Sequence, residues 1–216
     1  MFDALFTTTT EYKKLSHALS GKGACALFGL PASGRAQVYA ALCRQLDKPL
    51  CIVTPGEAEA TRFAADLNTL GIPAAVFPAR DYVLRPIEGT AREYEYRRLA
   101  VLGELVGGRL RAVAVPAEAL TQFTTPKEDF CANTRTLHAG DTLLRDDLLA
   151  ALFGAGYTRR AQVDGPGQFS VRGDIVDIFA PDQKMPVRME FWGDEIDTLH
   201  TFDLTTQRRE DAIDKF

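Results

Sequence analysis

Four short runs in the first 115 residues are almost continuously apolar: Ala24–Phe28, Leu50–Thr54, Ala74–Phe77 and Ala112–Val115. A strand buried on both faces reads this way, because neither side of its pleat meets water. Between the runs lie segments with helical periodicity at Arg35–Leu46, Glu57–Leu70 and Thr90–Leu105. Connections of helix length between strands imply parallel pairing and right-handed crossovers. The first half is therefore expected to be a small doubly wound α/β domain, spanning residues 1–126.

A polar break, Thr124-Thr125-Pro126-Lys127-Glu128-Asp129, marks the expected boundary, and the pattern changes beyond it. Arg145–Gly154 is amphipathic, with Asp141 or Thr142 as the expected cap and Gly154 and Gly156 as stop signals. Short strands are expected at Gln168–Arg172, Asp174–Phe179, Val187–Trp192 and Leu199–Asp203. Gly173, Ala180-Pro181-Asp182 and Gly193-Asp194 separate them, and these are turn-forming residues. Residues 127–216 should thus form a small α+β domain with a mostly antiparallel sheet.

Charge and composition remove several classes of function. Hydrophobic residues make up 46% of the chain and charged residues 25%, as in ordinary globular proteins. No apolar run approaches the roughly 20 residues of a membrane span, and the N-terminus lacks the basic-then-apolar pattern of a secretory signal. Residues 130–216 hold 10 Lys/Arg against 15 Asp/Glu. A broad nucleic-acid surface needs clustered cations, so the acidic second half argues against one there. The cysteines, Cys25, Cys43, Cys51 and Cys131, form no Cys-x-x-Cys pair. Cys25 and Cys51 sit in apolar runs and read as small buried hydrophobes. His17, His138 and His200 lack ligand spacing, so no metal site is expected. A reduced, cytoplasmic setting fits best.

After the first apolar run comes Gly29-Leu30-Pro31-Ala32-Ser33-Gly34-Arg35-Ala36, whose glycines have phosphate-loop spacing. Arg35 stands where a lysine would reach the terminal phosphates, and arginine is a bulkier, planar cation. Ala36 stands where a hydroxyl would hold magnesium, and alanine offers no ligand. The run Ala112–Val115 leads into Pro116-Ala117-Glu118 rather than an acidic pair. The loop is expected to be a degenerate strand-to-helix turn, without cofactor and without catalysis.

The densest information lies in Phe169–Phe179 and Val187–Asp197. With a period of two, Val187, Met189 and Phe191 share one face, and Arg188, Glu190 and Trp192 the other. Phe169 and Val171 likewise oppose Ser170 and Arg172. Tryptophan and arginine are the residues most enriched at interface hot spots. The residues alone leave two readings open. Trp192 and Arg188 could form a protein-binding face, or Trp192 could pack under the 145–154 helix while Arg188 pairs with Glu190. Asp194, Glu195 and Asp197 read as a solvated turn.

Those two stretches, with Leu152-Phe153-Gly154-Ala155-Gly156-Tyr157 upstream and Phe202-Asp203 and Thr206-Gln207-Arg208 downstream, closely resemble the domain shared by UvrB and the bacterial transcription-repair coupling factors (Mfd). The likeness is strong from about Leu144 to Arg209 and weak before. The degenerate loop separates the chain from UvrB. So does Asp81-Tyr82-Val83-Leu84-Arg85-Pro86, which runs almost directly into the helix at Thr90 and leaves no room for a damage-probing hairpin. The resemblance implies a non-catalytic module that docks UvrA and brings the excision machinery to stalled RNA polymerase. It assigns UvrA contacts to Arg172, Arg188 and Trp192, with Phe169 and Glu190 in the same constellation. It also implies a longer parent protein, an ATP-driven translocase on duplex DNA, whose own C-terminal domain masks this surface. The first domain would then show exposed apolar surface. The rival expectations are a diverged phosphate-loop nucleotide enzyme and a UvrB-like DNA-binding module.

Overall fold

In the computed structural model, the residues described are 6–21, 23–46, 48–80 and 92–216. The chain divides into two compact units, 1–94 with 101–123, and 95–100 with 124–216. The described residues form one three-stranded sheet in the first unit and one six-stranded sheet in the second.

The first unit contains α1 (Thr10–Ser20), α2 (Ala32–Gln45), β1 (Leu50–Thr54), α3 (Glu57–Thr69), β2 (Ala74–Val76), the C-terminal part of α4 (Glu93–Val106), β3 (Ala112–Pro116) and α5 (Ala117–Leu120). The sheet order is β1-β3-β2, all parallel, with Ile52 opposite Ala114 and Ala75 opposite Val113. The central strand β3 is buried along its whole length, which is why its sequence lacks alternation. Its Ala112 and Ala114 face Ala36, Ala40, Phe63 and Leu67 of α2 and α3. Its Val113 and Val115 face Phe77, Val101 and Ala119 on the other side. Helices thus cover both faces, as the α/β expectation requires. Small residues on α2 and β3 let helix and sheet approach closely, so a modest set of side chains closes this core. Helix α1, not anticipated above, is capped by Thr9, whose hydroxyl accepts from the Tyr12 amide at 3.3 Å, and lays Tyr12 and Leu15 on Val38 and Leu42.

Two expectations for this unit need correction. Ala24–Phe28 is not a strand: it has no regular secondary structure, pairs with no strand among the described residues, and exposes Phe28 to 87%. An apolar run supplies hydrophobicity but not a partner, and a strand exists only where another backbone completes its ladder. Cys25 and Cys51 are consequently exposed rather than buried. β1 lies at the sheet edge, and its Cys51 and Val53 face is open. Cys43 is the buried thiol; it donates to the Arg111 carbonyl at 3.5 Å, and burial raises its pKa. The expected absence of a hairpin between Asp81 and Thr90 lies outside the described residues.

The second unit contains α6 (Lys127–Ala132), α7 (Arg145–Gly154), β4 (Thr158–Arg159), β5 (Gln168–Arg172), β6 (Ile175–Phe179), β7 (Val187–Trp192), β8 (Glu195–Phe202) and β9 (Arg209–Ala212). The strands follow chain order, β4-β5-β6-β7-β8-β9, antiparallel except for the short β4–β5 pair. Helix α7 packs Leu148 and Leu152 onto Phe169, Val176, Ile178, Val187, Met189 and Phe191. It ends at Gly154, with Gly156 at φ 84°, as read from the sequence. Its N-cap, however, is Leu144, with no side-chain cap bond, instead of Asp141 or Thr142. Both of those residues are committed to the sheet: Asp141 accepts the Ile196 amide through its carbonyl, and Thr142 bridges to Glu195.

Candidate functional site

The β5–β6 and β7–β8 hairpins turn through Gly173-Asp174 and Gly193-Asp194. Both glycines sit at positive φ, 60° and 62°, while the aspartates do not. That is the pattern of a tight two-residue hairpin loop with glycine first. Because β5 and β7 run in the same direction, both turns, and the strand-terminal residues Arg172 and Trp192, lie at one end of the sheet. Arg145 at the start of α7 holds the first turn by donating to the Gly173 carbonyl at 2.8 Å and pairing with Asp174 at 3.2 Å.

The sheet face opposite α7 is polar at its centre. Register places Ser170 opposite Asp177, and Asp177 opposite Arg188. Asp177 is completely buried. Its carboxylate accepts from Arg188 Nε at 2.7 Å and Nη2 at 2.9 Å, from Arg172 Nη2 at 2.6 Å, and from Ser170 Oγ at 3.4 Å. The Arg188 contact is the bidentate fork that suits a guanidinium and a carboxylate. A buried carboxylate without such partners would be very costly, so the arginines are a condition of its being there.

The two arginines differ in what remains to them. Only 11% of the Arg188 side chain is exposed. Its Nη1 donates to the Gln207 carbonyl at 3.2 Å, and its guanidinium lies 4.8 Å from the Phe202 ring centroid. The bonds to Asp177 raise its pKa further, against the opposing effect of burial. The Gln207 carbonyl is presented by a turn in which Asp203 accepts from the Thr205 and Thr206 amides at 3.1 and 2.7 Å. The Thr206 bonds hold the exposed Asp203 carboxyl below its ordinary pKa. Gln207 itself has φ 59° and donates to the Val163 and Leu204 carbonyls. Arg172, by contrast, keeps 47% of its side chain in solvent.

Further along β7, Glu190 is paired with Arg209 of β9 and accepts from Thr198 Oγ1 at 3.4 Å. Trp192 ends the strand with 83% of its surface exposed, on the same alternation as Arg188 and Glu190. Of the two readings left open by the sequence, packing of Trp192 under the 145–154 helix does not occur. Strand spacing and rise place Trp192 and Arg172 on the order of 12 Å apart between Cα atoms.

Two residues that the resemblance grouped with the UvrA contacts have little or no exposure. Phe169 is fully buried, edge-on against Phe153 with ring centroids 5.1 Å apart, and belongs to the core under α7. Arg188 is on the expected face but is not an exposed strand residue, because the 203–208 turn closes over it. Asp177, Phe202 and Gln207 entered the sequence reading only inside longer matching stretches, with no role of their own. An aspartate in the middle of the run Ile175-Val176-Asp177-Ile178-Phe179 was the available signal, since a charge inside an apolar strand needs a partner.

The candidate phosphate loop takes a different form. Gly29 has φ 81° and is exposed, and α2 already begins at Ala32, capped by Pro31. Ser33, Gly34, Arg35 and Ala36 therefore lie within the helix rather than in a loop that could wrap a phosphate. Arg35 pairs with Glu59 at 3.9 Å and lies 5.7 Å from the Phe63 ring centroid, so its cation is directed to α3. Ala36 is buried. Among the described residues there is no cluster of three or more metal-ligating side chains. No helix among them is long and apolar enough to cross a membrane.

Comparison with known proteins agrees with this geometry. Residues 136–216, which include α7, all six strands and the Asp177 cluster, match the family model of the UvrB interaction domain. The transcription-repair-coupling factor of Bacillus subtilis (strain 168) is 29% identical over 184 residues, covering 84% of this chain and 16% of the relative. That of Mycobacterium tuberculosis (strain CDC 1551 / Oshkosh) is 38% identical over 192 residues, 85% of this chain and 15% of the relative. That of Myxococcus xanthus is 34% identical over 196 residues, 86% and 16%. The chain thus spans about one-sixth of the length of the curated relatives it matches. Residues 136–216 thus match the UvrB interaction domain, in a chain that over most of its length is similar to a segment of the transcription-repair-coupling factors.

Proposed function

We propose that this chain is a non-catalytic docking module for UvrA in transcription-coupled nucleotide excision repair, binding through the hairpin end of the β5–β7 face. The observation that carries this reading is the presence, at one end of one sheet face, of an 83% exposed tryptophan and a half-exposed, carboxylate-anchored arginine. A large aromatic left in water beside a fixed cation costs the free protein solubility, and a partner that covers both recovers their burial and charge complementarity. Trp192 and Arg172 would make the direct contacts, with Arg188 and Glu190 supporting them from within the sheet. A net-acidic domain can bind this way, because single charge-assisted pairs flanking an aromatic anchor do not require a basic patch.

In the longer protein, recruitment of UvrA to stalled RNA polymerase would join this module to polymerase and duplex DNA, with ATP-driven movement residing elsewhere and the protein's own C-terminal domain masking the face until needed. Cytoplasmic residence follows from that role. Neither rival is favoured: α2 occupies the place of a phosphate cradle and Arg35 is paired with Glu59, and the net-acidic second half offers no clustered cations for nucleic acid.

Isothermal titration of this chain with purified UvrA tests the reading. Saturable binding is expected, weakened at least tenfold in folded Trp192→Ala and Arg172→Ala variants, the size typical of interface anchors. A folded wild-type chain that shows no heat of binding at high micromolar UvrA would sink it.

A further inference from the structure

We infer that Asp177 is a positioning residue for partner binding: from inside the sheet it fixes the guanidinium of Arg172 at the orientation in which a partner meets it. This rests on the docking face proposed above and identifies how that face is organised.

Three features of the cluster point this way. First, Asp177 has no exposure of its own and cannot touch a partner, yet its carboxylate holds the shortest described bond of the cluster, 2.6 Å to Arg172 Nη2. Second, the other arginine is used up internally. Arg188 fills both carboxylate oxygens, caps the Gln207 carbonyl and lies on Phe202, so it acts as the fixed wall against which Asp177 is held. Third, Arg172 sits at the last position of β5, beside the Gly173 turn, where a long side chain would otherwise sample many rotamers. Ordering such a side chain on association is a cost that a preformed contact removes in advance. One carboxylate between two guanidinium groups also leaves the cluster with one net positive charge, and the solvent-accessible part of it is on Arg172. The matching partner surface is a carboxylate that completes the free side of that guanidinium.

A double-mutant cycle separates this role from ordinary structural support. Arg172→Ala, Asp177→Asn and the double variant are titrated with UvrA, after circular dichroism confirms the native spectrum in each. Asp177→Asn is expected to weaken binding roughly tenfold, and the double variant to bind no more weakly than Arg172→Ala alone. Such non-additivity is the signature of one residue acting through another. Losses that multiply would overturn the inference, as would an Asp177→Asn chain that binds like wild type. If Arg172→Ala itself leaves affinity unchanged, the docking face as drawn is wrong and the positioning role goes with it. Should the Asn variant not fold, the wild-type chain decides by nitrogen-15 NMR. Rotation of the Arg172 guanidinium is expected to be slowed relative to an exposed arginine such as Arg135, which would keep resolved Nη signals from averaging; free averaging at Arg172 would refute the anchor.

Discussion

At residue scale, the central fact is that a single buried carboxylate, Asp177, organises three side chains, Ser170, Arg172 and Arg188, from the two flanking strands. Arg188 therefore behaves as a structural residue within the proposed docking face. Arg188→Glu would set a second carboxylate against Asp177 and remove the fork that compensates it. The expected loss is on the order of 3 kcal/mol of stability, the usual cost of breaking a buried pair. It should appear as a lower urea midpoint in denaturation followed by circular dichroism. An unchanged midpoint would mean that the 203–208 turn opens freely and that Arg188 belongs to the surface after all. Arg172→Ala touches the same carboxylate but leaves its bidentate partner in place, and its stability should fall by about 1 kcal/mol or less.

The element scale shows why some segments were legible and others were not. Helix α7 was read from sequence to its observed bounds, because amphipathic spacing and two terminal glycines agree. β5 and β7 were also read to their bounds, since alternation and a Gly-Asp turn fix both ends. Ala24–Phe28 looked equally strong as a strand, yet pairing rather than composition decides whether a strand forms. β4 and β9 were missed for the converse reason: Thr158–Arg159 and Arg209–Ala212 carry almost no apolar signal and are recruited by neighbours. The α7 contact can be tested directly. Leu152→Ala removes buried methyl groups that face Phe169 and Met189 and should cost about 2–5 kcal/mol. The same substitution at exposed Leu144 should cost less than about 1 kcal/mol. Equal effects would mean that α7 is not seated as described.

At the scale of the whole molecule, the chain joins a parallel α/β unit, whose α2 begins at Ala32 and directs Arg35 to Glu59, to a sheet unit with an organised polar face. The first unit's resemblance to a phosphate-loop protein should have no thermodynamic consequence. Millimolar MgATP is expected to leave the melting temperature unchanged, because a ligand shifts it only by binding the folded state. A rise of several degrees would require α2 to unwind its first turn and would revive the enzyme reading. The exposed apolar residues Leu27, Phe28 and Val53 agree with the expectation of open apolar surface in this unit. The sequence by itself determined the class of both units, because hydrophobic period and turn chemistry act locally and survive without a partner. It also determined which residues alternate onto the polar face, since a strand's period is two whatever it pairs with. Only the tertiary structure decided which of them a partner can reach. Exposure of Arg172, Arg188 and Trp192 depends on strand register and on a turn 15 or more residues beyond Arg188 that folds back over the sheet. Contacts of that range are set by the fold as a whole, not by any stretch of chain short enough to show a pattern.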